Sequence, residues 1–217
     1  MAVGFNFYTF EDKTIFFSRI SKFLSLMNIL VARTADEIAF AYEKLSAAME
    51  LGCDTETSGL SARRGRMLSV QFSDGAFSVL VPTSEGVGLG KLADILENPA
   101  ITKIFHNAKF DLEFLRENGY QAQNVFDTML AEKVLTRGAD QSCSLAETLY
   151  RYFAVDLDKS HRATFTNKSW NGVWTPELVE YALSDVVYLP ELKRRQQLWL
   201  ERLNLGANYE KVIARLF

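Results

Sequence analysis

Two carboxylates, Asp54 and Glu56, stand two residues apart, entered through Leu51, Gly52 and Cys53. In an extended strand, residues i and i+2 point to the same face, so these acids project together. Acids held side by side repel, and the usual neutraliser is a hard divalent cation. Alone, the pair fits a solvated strand end at least as well; matching carboxylates elsewhere must decide. Asp111 lies four residues after Asn107, and Asp185 four after Tyr181. On a helix, that spacing puts each pair on one face. An isolated acid on a surface helix is ordinarily solvated, and a Tyr–Asp pair is ordinarily a hydrogen bond. The ordered set of four acids and a tyrosine is what raises the odds of a metal site. Carboxylates are hard oxygen donors suited to a cation such as Mg²⁺.

The elements that must position this set can be read around it. Residues 28–33 form a first strand. Thr34 and Glu37 make a capping box for a helix over 35–49, with Ile38, Tyr42, Leu45 and Met49 at helical spacing. The strand bearing Asp54 and Glu56 follows, then a loop over 57–66 with Arg63, Arg64 and Arg66. Strands over 67–72 and 76–81 flank a turn at Ser73, Asp74 and Gly75. A helix over 88–97 precedes a strand over 101–106 and a helix over 108–118 stopped by Asn118 and Gly119. A strand at 124–126 leads to a helix over 127–135, with Asp127 as its cap. Ser144 and Glu147 form a second capping box, opening a helix to 153. Residues 154–174 read as a polar loop with Lys159, Arg162 and Lys168 beside Phe165, Trp170 and Trp174. Thr175 and Pro176 start a helix, which Pro190 bends or restarts. The class is α/β, a mixed sheet flanked by helices.

The 217 residues suffice for one sizeable core, and the domain reads as 27–217. Residues 1–26 carry six of the sixteen phenylalanines, interrupted by charges, and read as an N-terminal extension. A net charge of −3 argues against tight non-specific duplex binding, but not against an enzyme holding a few nucleotides. Cys53 and Cys143, distant and without a C-x-x-C, indicate a reducing compartment, the cytoplasm, and exclude a cysteine-built zinc site. His106 and His161 lack metal-binding spacing, and His106 reads as structural. No stretch approaches 18 uncharged apolar residues, so no membrane span is expected.

The three acidic segments resemble the exonuclease motifs of the DEDDy 3′→5′ exonucleases, the group of ribonuclease D and the proofreading domain of family A DNA polymerases. The resemblance covers about residues 28–200, and implies a ribonuclease H-like mixed β-sheet flanked by α-helices. Residues 126–130 and 157–160 also resemble family segments. Relatives that use histidine carry H-x-x-x-x-D at the third motif; here position 180 is Glu180 and position 181 is Tyr181. The resemblance implies that Asp54, Glu56 and Asp185 ligate one Mg²⁺ or Mn²⁺. Asp54 would reach a second ion, held also by Asp111, and Tyr181 would orient the attacking water. Substrate contacts are expected from Thr55 through its backbone N–H, from Leu60 against the terminal base, and from Asn107 and His161. The partner is the 3′ end of single-stranded RNA or DNA, and with few strand contacts short or exposed ends are expected. A non-catalytic binding module of the same fold and a two-metal hydrolase of a small phosphorylated substrate are the alternatives.

Overall fold

The computed structural model describes residues 28–137, 139–157, 162–167 and 170–217. The expectations for residues 1–26 and for Lys159 and His161 fall outside these residues. Six strands form one mixed sheet: β1 (Asn28–Val31), β2 (Glu50–Thr57), β3 (Met67–Ser73), β4 (Phe77–Val81), β5 (Thr102–Phe105) and β6 (Val125–Asp127). Their spatial order is β1-β4-β3-β2-β5-β6. β2 is central: it pairs antiparallel with β3 and parallel with β5. Asp54 lies opposite Gln71 and Glu56 opposite Ser69, with a register shift immediately beyond, at Glu56/Thr57. The ladder therefore fixes both carboxylates just before β2 begins to leave its partner.

Helices cover both faces. On one lie α1 (Ala35–Leu45), α2 (Leu92–Glu97) and α3 (Ala108–Glu117). They bury Ile38, Leu45, Ile95, Phe114 and Leu115 against Leu51 and Cys53 of β2. On the other lie α4 (Thr128–Thr136), α5 (Leu145–Phe153), α6 (Arg162–Thr166), α7 (Pro176–Val187), α8 (Leu189–Arg202) and α9 (Gly206–Ile213). Leu183, Val186, Leu189 and Leu192 of α7 and α8 pack there with Leu80 and Ile104. No helix among the described residues is long and apolar enough to cross a membrane.

Local signals explain most boundaries. The Thr34–Glu37 capping box is complete, each side chain accepting from the other residue's backbone N–H. α1 ends at Leu45, earlier than its spacing suggests, because Met49 already belongs to the turn into β2. α2 starts at Leu92 and not at 88: Gly90 has φ +50, a conformation that cannot continue a helix. At 144–147 only half of the box forms, the Ser144 hydroxyl accepting from the Glu147 N–H. Pro190 restarts the chain as α8, in whose first turn its missing N–H is not needed.

The stretch read as a polar loop holds the largest departure. It contains α6, and Phe165 is buried with Trp174 in the core of the α7 face. Phe165 lies 5.2 Å from Trp174, 5.4 Å from Trp170 and 5.9 Å from Tyr181, ring centre to ring centre. The charges around these rings hid an aromatic wall that packs on a predicted site residue.

Candidate active site

Side-chain alternation in β2 builds the site. Leu51, Cys53 and Thr55 face α1 to α3, whereas Gly52, Asp54 and Glu56 face α7 and α8. Asp185 enters from the last turn of α7. Asp54, Glu56 and Asp185, all half-buried, offer carboxylate oxygens within 4.8 Å of one another, a group able to hold a metal ion. Burial and the charges of Asp111, Glu56 and Asp185 push the Asp54 carboxyl well above the usual carboxylate range. Such a group is an oxygen-only donor set, which fits a hard divalent cation.

Asp111 stands apart from these three. It projects from α3 on the opposite side of β2, where it is 2 % exposed. One of its oxygens accepts from the Thr55 N–H at 3.0 Å and from the Thr55 hydroxyl at 2.7 Å. The Thr55 N–H, expected to serve the terminal sugar, here orients a carboxylate. Alternation is the reason, since Thr55 points away from the Asp54–Glu56 face and toward α3. The charge of Asp111 nevertheless acts strongly on Asp54, and so the fourth acid borders the same electrostatic site.

Asn107 takes a left-handed conformation at the head of α3, φ +72, which asparagine tolerates. Its side chain makes no cap bond and is exposed. The cap is Asp127, which lies at the end of β6. Its carboxylate accepts from the N–H groups of Asn107 and Ala108, and from those of Met129 and Leu130 at the head of α4. One buried side chain thus anchors two helices, including the one that carries Asp111. The sequence shows Asp127 capping its own helix; only the parallel β5–β6 pairing places it beneath α3 as well.

His106 lies between the Thr128 hydroxyl, 2.8 Å from Nδ1, and the Cys143 carbonyl, 2.9 Å from Nε2. Burial lowers its pKa to about 4, in keeping with a structural role. Leu60 is 86 % exposed in the loop after β2, an apolar side chain with no protein to cover it. Tyr181, half-buried one turn before Asp185 on α7, packs against Phe165.

The site and the sheet together define a class. A family model described as 3′-5′ exonuclease matches residues 30–201. The chain belongs to the 3′-5′ exonuclease family, and its tyrosine at the third motif makes it of the DEDDy type. Ribonuclease D of Jannaschia sp. (strain CCS1) is 32% identical over 190 residues, 84% of this chain and 48% of that protein. The chain spans about half the length of the ribonuclease D relatives it matches. The crystal structure of Escherichia coli RNase D, described as an exoribonuclease involved in structured RNA processing, superposes with a TM-score of 0.76 at 25% identity, covering 88% of this chain and 50% of that one. Brucella melitensis NrnC bound to pGG gives a TM-score of 0.72 at 29% identity, covering 88% of this chain and 90% of that one.

Burial of Asp111 has a consequence for pH. Desolvation raises its pKa from 3.8 to about 7. Between these values the unfolded chain releases the proton while the folded protein keeps it, so stability falls as pH rises from about 4 to about 7. Above about 7 the loss is complete. Asp111→Asn keeps an oxygen acceptor for Thr55 and removes the titration. In EDTA, the melting temperature of the variant relative to wild type is therefore expected to climb across that window, by the equivalent of a few kcal/mol at most. A difference independent of pH would overturn this account.

Proposed function

We propose that the protein is a divalent-metal-dependent 3′→5′ exonuclease that shortens single-stranded RNA, releasing nucleoside 5′-monophosphates. The observation that carries this reading is the convergence of Asp54, Glu56 and Asp185 within 4.8 Å. Those three residues would hold one Mg²⁺ or Mn²⁺, and Asp54 with Asp111 a second. Ions bound there supply an activated water and charge compensation at phosphorus.

The chain's own groups do the rest. Thr55 fixes Asp111 through two hydrogen bonds, so this carboxylate is set before substrate arrives. Packing against Phe165 holds the Tyr181 ring, whose hydroxyl would orient the attacking water beside the scissile phosphate. With an ordinary pKa of about 10, a tyrosine is a poor base at neutral pH and serves by hydrogen bonding. Water attacks phosphorus, the P–O3′ bond breaks, and the 3′ oxygen of the shortened strand takes up a proton. Leu60 offers an apolar surface to the terminal base, and the exposed Asn107 side chain a donor and an acceptor to the strand. Preference for RNA is supported by the ribonuclease D relatives, and action on short ends by the likeness to NrnC bound to pGG.

Matched RNA and DNA oligonucleotides labelled at the 5′ end, incubated with Mg²⁺, Mn²⁺ or EDTA, test the reading. A ladder that shortens from the 3′ end only with metal is expected, faster on RNA. Cleavage of a mononucleotide diester without any ladder would point instead to a small-substrate hydrolase. No cleavage of either polymer would sink the proposal.

A further inference from the structure

A shallow groove of about 560 Å³ runs between α4 and α9, and none of the site carboxylates lines it. Four cations line it: Lys133 and Arg137 on one side, Lys211 and Arg215 on the other. Val134 and Val212 form its apolar floor, and no acid lines it. The arrangement runs against the composition, in which 27 acids outnumber 24 lysines and arginines. Arg33, Arg151, Lys193, Arg194 and Arg195 each pair with a glutamate, whereas none of the four groove cations has an ion pair among the described residues.

A cation near a helix C-terminus is ordinary, since it complements the helix dipole. That explains one such residue on each helix. Two facing pairs repel one another across the groove, a cost that an anion along it would offset. Within each row the cations are four residues apart in sequence, Arg137 at the left-handed end of α4 and Arg215 in the turn that follows α9, and both rows open to solvent. A mononucleotide can neutralise only part of such a double row; a run of phosphates matches it.

The groove is also tied to the site. α4 begins directly after Asp127, and the Asp127 N–H donates to the Tyr209 hydroxyl of α9 at 2.8 Å. Both walls are therefore anchored at the residue that caps the Asp111 helix. We propose that this groove binds the phosphodiester backbone of a longer single strand, upstream of the 3′ end held at the carboxylates. The proposal rests on the exonuclease reading for the strand's direction, but the groove itself is read by binding alone.

The test measures affinity for a 20-nucleotide oligoribonucleotide in EDTA, where nothing is cleaved, across a range of salt. Two double variants are compared, Lys133→Gln with Arg137→Gln and Lys211→Gln with Arg215→Gln. A third, Lys44→Gln with Lys91→Gln, removes the same charge from the helices on the other face of the sheet. Each single-strand phosphate neutralised contributes about −0.7 to the slope of log K against log salt. Each groove variant is expected to bind more weakly and flatten the slope by about 1.4, while the control stays close to wild type. Melting temperatures report whether the variants fold.

Equal losses in all three variants would show a net-charge effect and overturn the proposal, as would an unchanged slope in the groove variants. Competition by inorganic phosphate or a nucleoside monophosphate, at concentrations equal in phosphate to the oligonucleotide, would assign the groove to a small anion and likewise overturn it. Should wild type shorten no oligonucleotide with metal, yet lose strand binding in the groove variants, the exonuclease reading fails and the groove stands.

Discussion

Asp54→Asn is expected to lower exonuclease activity at least about a thousandfold while making the metal-free protein more stable. The two effects have one cause. Asp54 is the carboxylate on which all three other acids act, and burial together with those charges holds its pKa high. Removing its charge removes repulsion that only a cation can otherwise offset, so the melting temperature in EDTA at pH 8 should rise. Stabilisation of the protein by added Mn²⁺ should fall in parallel, because the group that gathers Glu56 and Asp185 into a donor set is gone. A merely structural acid would behave oppositely, its amide variant melting lower with or without metal. Retained activity, or a variant destabilised in EDTA, would remove Asp54 from the centre of the site.

How much of this site was legible depends on what each residue answers to. Asp54 and Glu56 are i, i+2 in a strand, so their shared face follows from backbone geometry alone. Tyr181 and Asp185 are i, i+4 in a helix whose start is marked by Thr175 and Pro176. That Asp111 approaches from the other side of β2 was not legible, because it depends on which face each helix covers. The same holds for Asp127. Its bond to the head of α3 crosses from one parallel strand to the next, and such pairings leave no local trace. The head of α3 is hidden for the same reason, since its capping oxygen comes from twenty residues further on. The aromatic wall of Phe165, Trp170 and Trp174 was visible as composition but masked by the surrounding charges. Spacing could not distinguish rings exposed for a ligand from rings buried beneath Tyr181.

Gly52→Ala is expected to disable the enzyme without touching a functional side chain. Gly52 lies two residues before Asp54 on the face that meets α7 and α8. A Cβ built there would clash with the Val186 carbonyl oxygen and sit 3.1 Å from the Leu189 Cβ. The first neighbour is backbone, so no side-chain rotation can relieve the clash; the end of α7 must move. Asp185 immediately precedes Val186, and so the displacement acts directly on the third carboxylate of the candidate metal group. Overpacking of this kind costs typically about 1–3 kcal/mol, which a domain of this size can survive. A misplacement of about 1 Å at a reacting centre can cost about a hundredfold in rate. The variant should therefore fold, melt several degrees lower, and turn over about a hundredfold more slowly, with a higher Mn²⁺ concentration needed for half-maximal stabilisation. That last measurement separates displacement of Asp185 from general loosening, which would leave the metal requirement unchanged. Full activity at an unaltered metal requirement would mean that α7 does not need this close approach, and that the position of Asp185 is set elsewhere.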